Sequence, residues 1–152
     1  MLWFVYALMA AVLWGVSYTL VEVLMKNISV ASVYLYSTLS GFLFALCYGL
    51  ATGAFRQDWQ NIRGFSAETK TFLTGVVAVE LVVYVLANLF ILLSIKGKNA
   101  TMAGMVEISY PLFTAFFAWA LFREVQFTAG ALLGVLLVLT GVACIYYFGK
   151  TV

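Results

Sequence analysis

Three glutamates lie inside or at the edge of long apolar runs, and each has aromatic or polar neighbours at helical spacing. Glu80, Tyr84 and Asn88 fall at i, i+4 and i+8, one stripe on one helix face. Glu107 is followed by Tyr110, Pro111 and Thr114. Trp14, Tyr18 and Glu22 form a third stripe, with Lys26 a turn beyond. A carboxyl withdrawn from water favours its protonated form. Such groups can carry a proton or, once ionised, hold a cation against the faces of nearby aromatic rings.

Each stripe also has a plainer explanation. Glu80 could meet Asn88 or a lysine in a contact that only locks helices. Pro111 has no N–H, so a continuous helix would leave the carbonyl of Glu107 without its partner. That makes one position supply both an ionisable carboxyl and a freed carbonyl, which suits a cavity wall. It equally suits a hinge beside a polar residue. Glu22 and Lys26 are spaced for an i,i+4 ion pair near a helix end. Tyr34, Tyr36, Ser37, Thr38, Ser40 and Tyr48 crowd the second apolar run, where hydroxyls serve packing as well as ligand contact.

The elements that carry these residues are membrane spans. A bilayer core requires about 20 apolar residues in helix, and five stretches meet that length: Leu2–Met25, Ser29–Thr52, Phe72–Ile95, Thr101–Phe122 and Thr128–Phe148. An ionised group at mid-span costs about 3 kcal/mol to insert, whereas each large apolar residue returns a few tenths. The run around Glu80 therefore inserts. The expected fold is all-α, with five transmembrane helices in one domain over residues 1–152. The links Lys26–Ile28, Lys96–Ala100 and Arg123–Phe127 are short, so successive helices should be antiparallel. Gly53–Thr71 reads as the one substantial loop, with Trp59 at headgroup level. The uncharged run from Met1 to Val21 lacks the basic region of a secretory signal and reads as a retained first helix.

Composition closes several other routes. The 152 residues are 65% hydrophobic and 9% charged, far below the charge of a soluble domain. Without histidine, and with Cys47 and Cys144 inside apolar runs, the chain offers no metal site, and no cofactor is expected. The net charge of +2, with no basic run, argues against nucleic acid. No acid–nucleophile arrangement marks an enzyme.

Charge placement is balanced across the membrane. With the N-terminus inside, Arg56, Arg63, Lys70 and Arg123 face one side, and Lys26, Lys96, Lys98 and Lys150 the other. Equal numbers remove the positive-inside bias. Orientation is then set by folding or a partner, or the chain inserts both ways and pairs head to tail, recreating the inverted-repeat plan of transporters. The fifth span carries Gly130, Gly134 and Gly141 and no acidic or basic residue until Lys150. Gly130 and Gly134 have the small-residue spacing of helix packing, which suggests that this helix joins protomers while the first four enclose a cavity.

Ser109-Tyr110-Pro111-Leu112-Phe113-Thr114-Ala115 leads to Ala118-Trp119-Ala120-Leu121-Phe122-Arg123-Glu124, and Gly130-Ala131-Leu132-Leu133-Gly134 precedes Leu139-Thr140-Gly141-Val142. These segments resemble the C-terminal half of an EamA-type repeat of the drug/metabolite transporter superfamily. Leu13-Trp14-Gly15-Val16-Ser17 is similar to that repeat's first helix. The resemblance spans essentially the whole chain as one repeat. Most relatives have ten helices from two inverted repeats around a central cavity. The resemblance thus implies an antiparallel homodimer, as in the related small multidrug resistance proteins, or a heterodimer with a sister repeat. Two departures stand out. Glu22 lies nearer a helix end than the first-helix glutamate of the small multidrug resistance proteins, and Arg123 stands where the family commonly has glycine.

Together these readings point to a multi-pass inner (plasma) membrane protein of a bacterium or archaeon. It would be a secondary active transporter of small metabolites or organic cations by alternating access. Protons and a cationic substrate would compete for Glu107, with Glu80, as in an antiporter. Trp14, Tyr18, Tyr84 and Tyr110 would each add a cation–π contact of about 0.5–2 kcal/mol. A non-transporting interaction subunit, a heterodimer partner and a dual-topology ion channel remain alternatives.

Overall fold

Helix ends in this chain follow local side-chain chemistry. In the computed structural model, which describes residues 2–124 and 128–148, seven helices appear in chain order. They are α1 (Leu2–Met25), α2 (Val30–Thr52), α3 (Ala54–Gly64), α4 (Ala67–Gly97), α5 (Ala100–Glu107), α6 (Tyr110–Phe122) and α7 (Ala129–Phe148). No strand occurs among the described residues. Lys150 and part of the link from Arg123 to Phe127 lie outside them.

Ser29 caps α2 through its Oγ, which accepts from Ser32 N–H at 3.2 Å. Asn99 caps α5 in the same way, accepting from Met102 N–H at 2.8 Å. Ser66 Oγ accepts from Thr69 N–H at 3.2 Å at the start of α4. Glu68 lies in the first turn of α4 and Lys96 in the last, complementing the helix dipole. Gly53 ends α2 and opens α3 with φ 71°, a left-handed conformation that favours glycine. Arg123 ends α6 with φ 58°, the one non-glycine residue with positive φ among those described. Its guanidinium lies 5.6 Å from the centre of the Trp119 ring.

Four helical stretches are long and apolar enough to cross a membrane: Leu2–Met25, Val30–Thr52, Ala67–Gly97 and Ala100–Phe122. The apolar stretch Leu133–Phe148 within α7 is shorter. The expected fold class therefore holds as all-α and membrane-spanning, with four such helices in view. At 31 residues, α4 is about 46 Å long, more than a bilayer core needs, so its first turns project or the helix tilts.

Three expectations need correction. The stretch from Gly53 to Thr71 is largely helical rather than a loop. Phe55, Trp59 and Ile62 recur at one face of α3, with Arg56, Asp58, Asn61 and Arg63 around the rest, which is the pattern of a surface-lying amphipathic helix. The fourth span is broken rather than continuous. α5 stops at Glu107, Ile108 and Ser109 form a turn, and Pro111 enters the first turn of α6, where its missing N–H is no loss. The Glu22–Lys26 ion pair is not formed among the described residues.

The chain divides into two compact units, Met1–Val23 with Ser94–Val152, and Leu24–Leu93. In the first, α5 packs against α7, and the buried residues are mostly small: Ala100, Ala103 and Ala115, with Val21 and Ile95. Small side chains let membrane helices approach closely where no hydrophobic drive pulls them together. In the second, α3 folds back on α2, and the Phe55 ring lies over Gly49, where a methyl group would come within 2.3 Å of it. Val33 is buried, and the Tyr34 hydroxyl reaches the Val85 carbonyl at 3.4 Å. Outside these small cores the large apolar side chains are exposed, as lipid-facing surface is.

The two left-handed positions give opposite expectations. Gly53→Ala should lower unfolding stability by about 1 kcal/mol, through the Cβ penalty. Arg123→Gly should leave stability unchanged or raise it by less than about 1 kcal/mol, since relief of the backbone is offset by loss of the Trp119 contact. Thermal unfolding of both variants in one detergent checks the pair.

Candidate functional site

Two glutamates from the sequence stripes meet partners in the unit of Met1–Val23 with Ser94–Val152. α1 and α5 run antiparallel there, because Glu22 reaches the start of α5 while Tyr18, a turn earlier, reaches its end. Glu22 Oε2 accepts from the Ala100 N–H at 2.6 Å. With Asn99, it supplies acceptors to the unpaired donors of the α5 N-terminus, where a negative charge is favoured. Glu22 therefore orients α5, and its carboxylate is already engaged.

One turn away the Tyr18 hydroxyl donates to Glu107 Oε2. Both residues are half-buried. The Tyr18 ring packs against Gly104, where a methyl group would meet the ring at 3.5 Å, an ordinary van der Waals contact. Trp14 flanks the other side, its ring centre 5.5 Å from that of Tyr18 at an interplanar angle of 53°. The result is a carboxyl bonded to a phenol, beside an indole, at the point where the helix breaks.

Position along α5 follows from helical rise. Glu107 is seven residues along from Ala100, so the pair lies about 10 Å along the helix axis from the start of α5. At the break, Ser109 Oγ donates to the Val106 carbonyl at 2.8 Å, and Ser109 N–H donates to the same carbonyl at 3.2 Å. Tyr110 is exposed, and its hydroxyl makes no hydrogen bond among the described residues. A shallow groove on this unit, lined by Thr114, Phe117, Ala118, Phe122 and Glu124, opens toward the other end of α6.

The remaining stripe belongs to the unit of Leu24–Leu93. Glu80 is exposed, with no hydrogen bond or ion pair among the described residues. Asn88 Nδ2 donates at 2.9 Å to the carbonyl of Tyr84 in its own helix, so it neither reaches Glu80 nor locks a neighbour. Tyr84 is half-exposed. On α7, a methyl group added at Gly130, Gly134 or Gly141 would meet nothing within 4 Å among the described residues, so the glycine face is open to them. No group of three or more metal-ligating side chains occurs among the described residues.

Sequence reasoning missed the capping role of Glu22 and the fit of Tyr18 against Gly104. Asn99 before an apolar run was a readable helix start. The partner of Glu22 was not readable, because it is a backbone N–H far along the chain.

Comparison with known proteins gives one family. The model of the EamA-like transporter family matches residues 1–147. Curated proteins and solved structures returned no match. With four membrane-length helices and a family match over nearly the whole chain, this is a multi-pass membrane protein that belongs to the EamA-like transporter family.

Proposed function

We propose that the protein is a secondary active transporter that moves small metabolites or organic cations by alternating access, coupled to protons at Glu107. The observation that carries this reading is the Tyr18–Glu107 hydrogen bond inside a span, at a break in the helix and beside Trp14. The phenol is a neutral partner. It can rotate away and leave the carboxylate to a cation, with the Tyr18 and Trp14 rings supplying cation–π contact. A proton and a cation then exclude one another at the same oxygen atoms, which is the requirement for antiport. The family is one of transporters, which supports the class but leaves the substrate open.

The working unit in this proposal is an antiparallel homodimer of dual topology in the inner membrane of a bacterium or archaeon. Glu80 supports the need for a partner. It lies near the middle of α4, exposed and unpaired among the described residues. An ionisable group at that depth must face protein or water rather than lipid. The open Gly130, Gly134 and Gly141 face of α7 offers a place for close helix approach. A fifth span through α7 completes the repeat in this picture. The same exposure of Glu80 favours the second reading, an interaction subunit whose sister chain covers α4.

A matched pair of variants tests the mechanism in proteoliposomes. Glu107→Gln should lower proton-driven substrate flux by about tenfold or more, the loss of one hydrogen-bonded charged group. Glu22→Ala should lower unfolding stability by about 1 kcal/mol, the value of a helix cap, while the pH dependence of transport persists. Unchanged proton-driven flux in Glu107→Gln would reject the coupling role. Wild-type protein that binds a sister chain and moves no solute alone would select the subunit reading.

A further inference from the structure

The α3–α4 corner belongs to no part of the transport proposal, yet it forms the more closely defined groove. Ile62 and Phe65 form one wall. Lys70, Leu73, Thr74 and Val77 form the other, and these four share one face of α4 by their i, i+3, i+4 and i+7 spacing. The space between them is about 230 Å³. All six residues lie within the Leu24–Leu93 unit.

Polarity along this groove is graded. Its upper end carries the Lys70 ammonium, which donates to the Arg63 carbonyl at 3.3 Å and so stands at the turn between the helices. One to two turns on, Leu73 and Val77 leave only hydrocarbon, about 5 and about 10 Å further along α4. Thr74 adds no donor at depth, because its hydroxyl is given to the Lys70 carbonyl at 2.8 Å. A cation over an apolar slot matches a phosphate over an acyl chain.

The surroundings carry the same sign. Arg56, Arg63 and Lys70 outnumber Asp58 and Glu68 in the segment from Gly53 to Thr71. Arg63 is stacked 5.2 Å from the Trp59 ring centre, so its charge is held beside an aromatic anchor of the membrane interface. The apolar side of α3, with Phe55 pressed on Gly49, keeps that helix at the surface end of α2 rather than free in water.

We propose that the α3–α4 groove is a binding site for one anionic phospholipid, its phosphate at Lys70 and Arg63 and one acyl chain along Leu73 and Val77. The site would fix α3 in the membrane interface.

Native mass spectrometry of the purified full chain in mixed micelles tests this, with phosphatidylglycerol and phosphatidylcholine of identical acyl chains offered together. Wild-type protein should retain phosphatidylglycerol over phosphatidylcholine by about fivefold, the worth of one lysine near an anionic surface. Lys70→Arg should keep the preference and Lys70→Gln should bring the ratio close to one. Leu73→Trp, which fills the tail slot, should reduce retention of phosphatidylglycerol, whereas inorganic phosphate alone should neither bind nor compete. Equal retention of both lipids by wild-type protein would overturn the proposal. So would an unchanged preference in Lys70→Gln, or displacement of the lipid by inorganic phosphate. None of these readouts depends on transport, so a failed transport mechanism leaves the lipid site standing, and the reverse holds too.

Discussion

A carboxyl group carried into a membrane must be answered by a donor, and the α1–α5 pairing is organised around that demand. Glu22 meets the open N-terminus of α5 and Glu107 meets the Tyr18 hydroxyl. The first contact is between a carboxylate and a helix N-terminus, where negative charge is favoured. The second joins two titratable side chains, either of which can turn away. Two glutamates of the same interface thus have unlike partners, one a backbone N–H and the other a side-chain hydroxyl.

The same interface shows how little apolar burial a membrane fold needs within one chain. The residues enclosed beside it are alanines and short aliphatics, and the Tyr18 ring packs against Gly104. In lipid, burying a leucine against another helix gains little over leaving it in the acyl chains, so close backbone approach and hydrogen bonds set the geometry. A chain with large exposed leucines and phenylalanines is consistent with that solvent, and its polar groups carry most of the positional information.

Much of this was legible in the residues. The ends of α1 and α2 follow from apolar run length, Ser29 and Gly53, and the family resemblance carried by the Pro111 and Arg123 segments is matched by the family model over residues 1–147. The interior of the Gly53–Thr71 stretch reads as a loop because charged and polar residues interrupt Phe55, Trp59 and Ile62, whose spacing is nonetheless helical. The break at Ile108 and Ser109 was readable only as a disturbance near Pro111, since sequence does not say whether a helix bends around a missing donor or stops before it. For the site, the Trp14–Tyr18 stripe and Glu107 were both visible, but their meeting was not, because the contact joins residues 89 positions apart. Glu22 shows the limit most clearly: its near neighbour Lys26 suggested one partner, and the fold supplies another.

Gly53 is at once the last cap of α2 and the first of α3, so no slack separates a membrane span from the helix at its surface. A joint of one residue, with the Phe55 ring packed on Gly49, couples the direction of α3 to that of the span. A reorientation of α2 would thus be passed directly to α3.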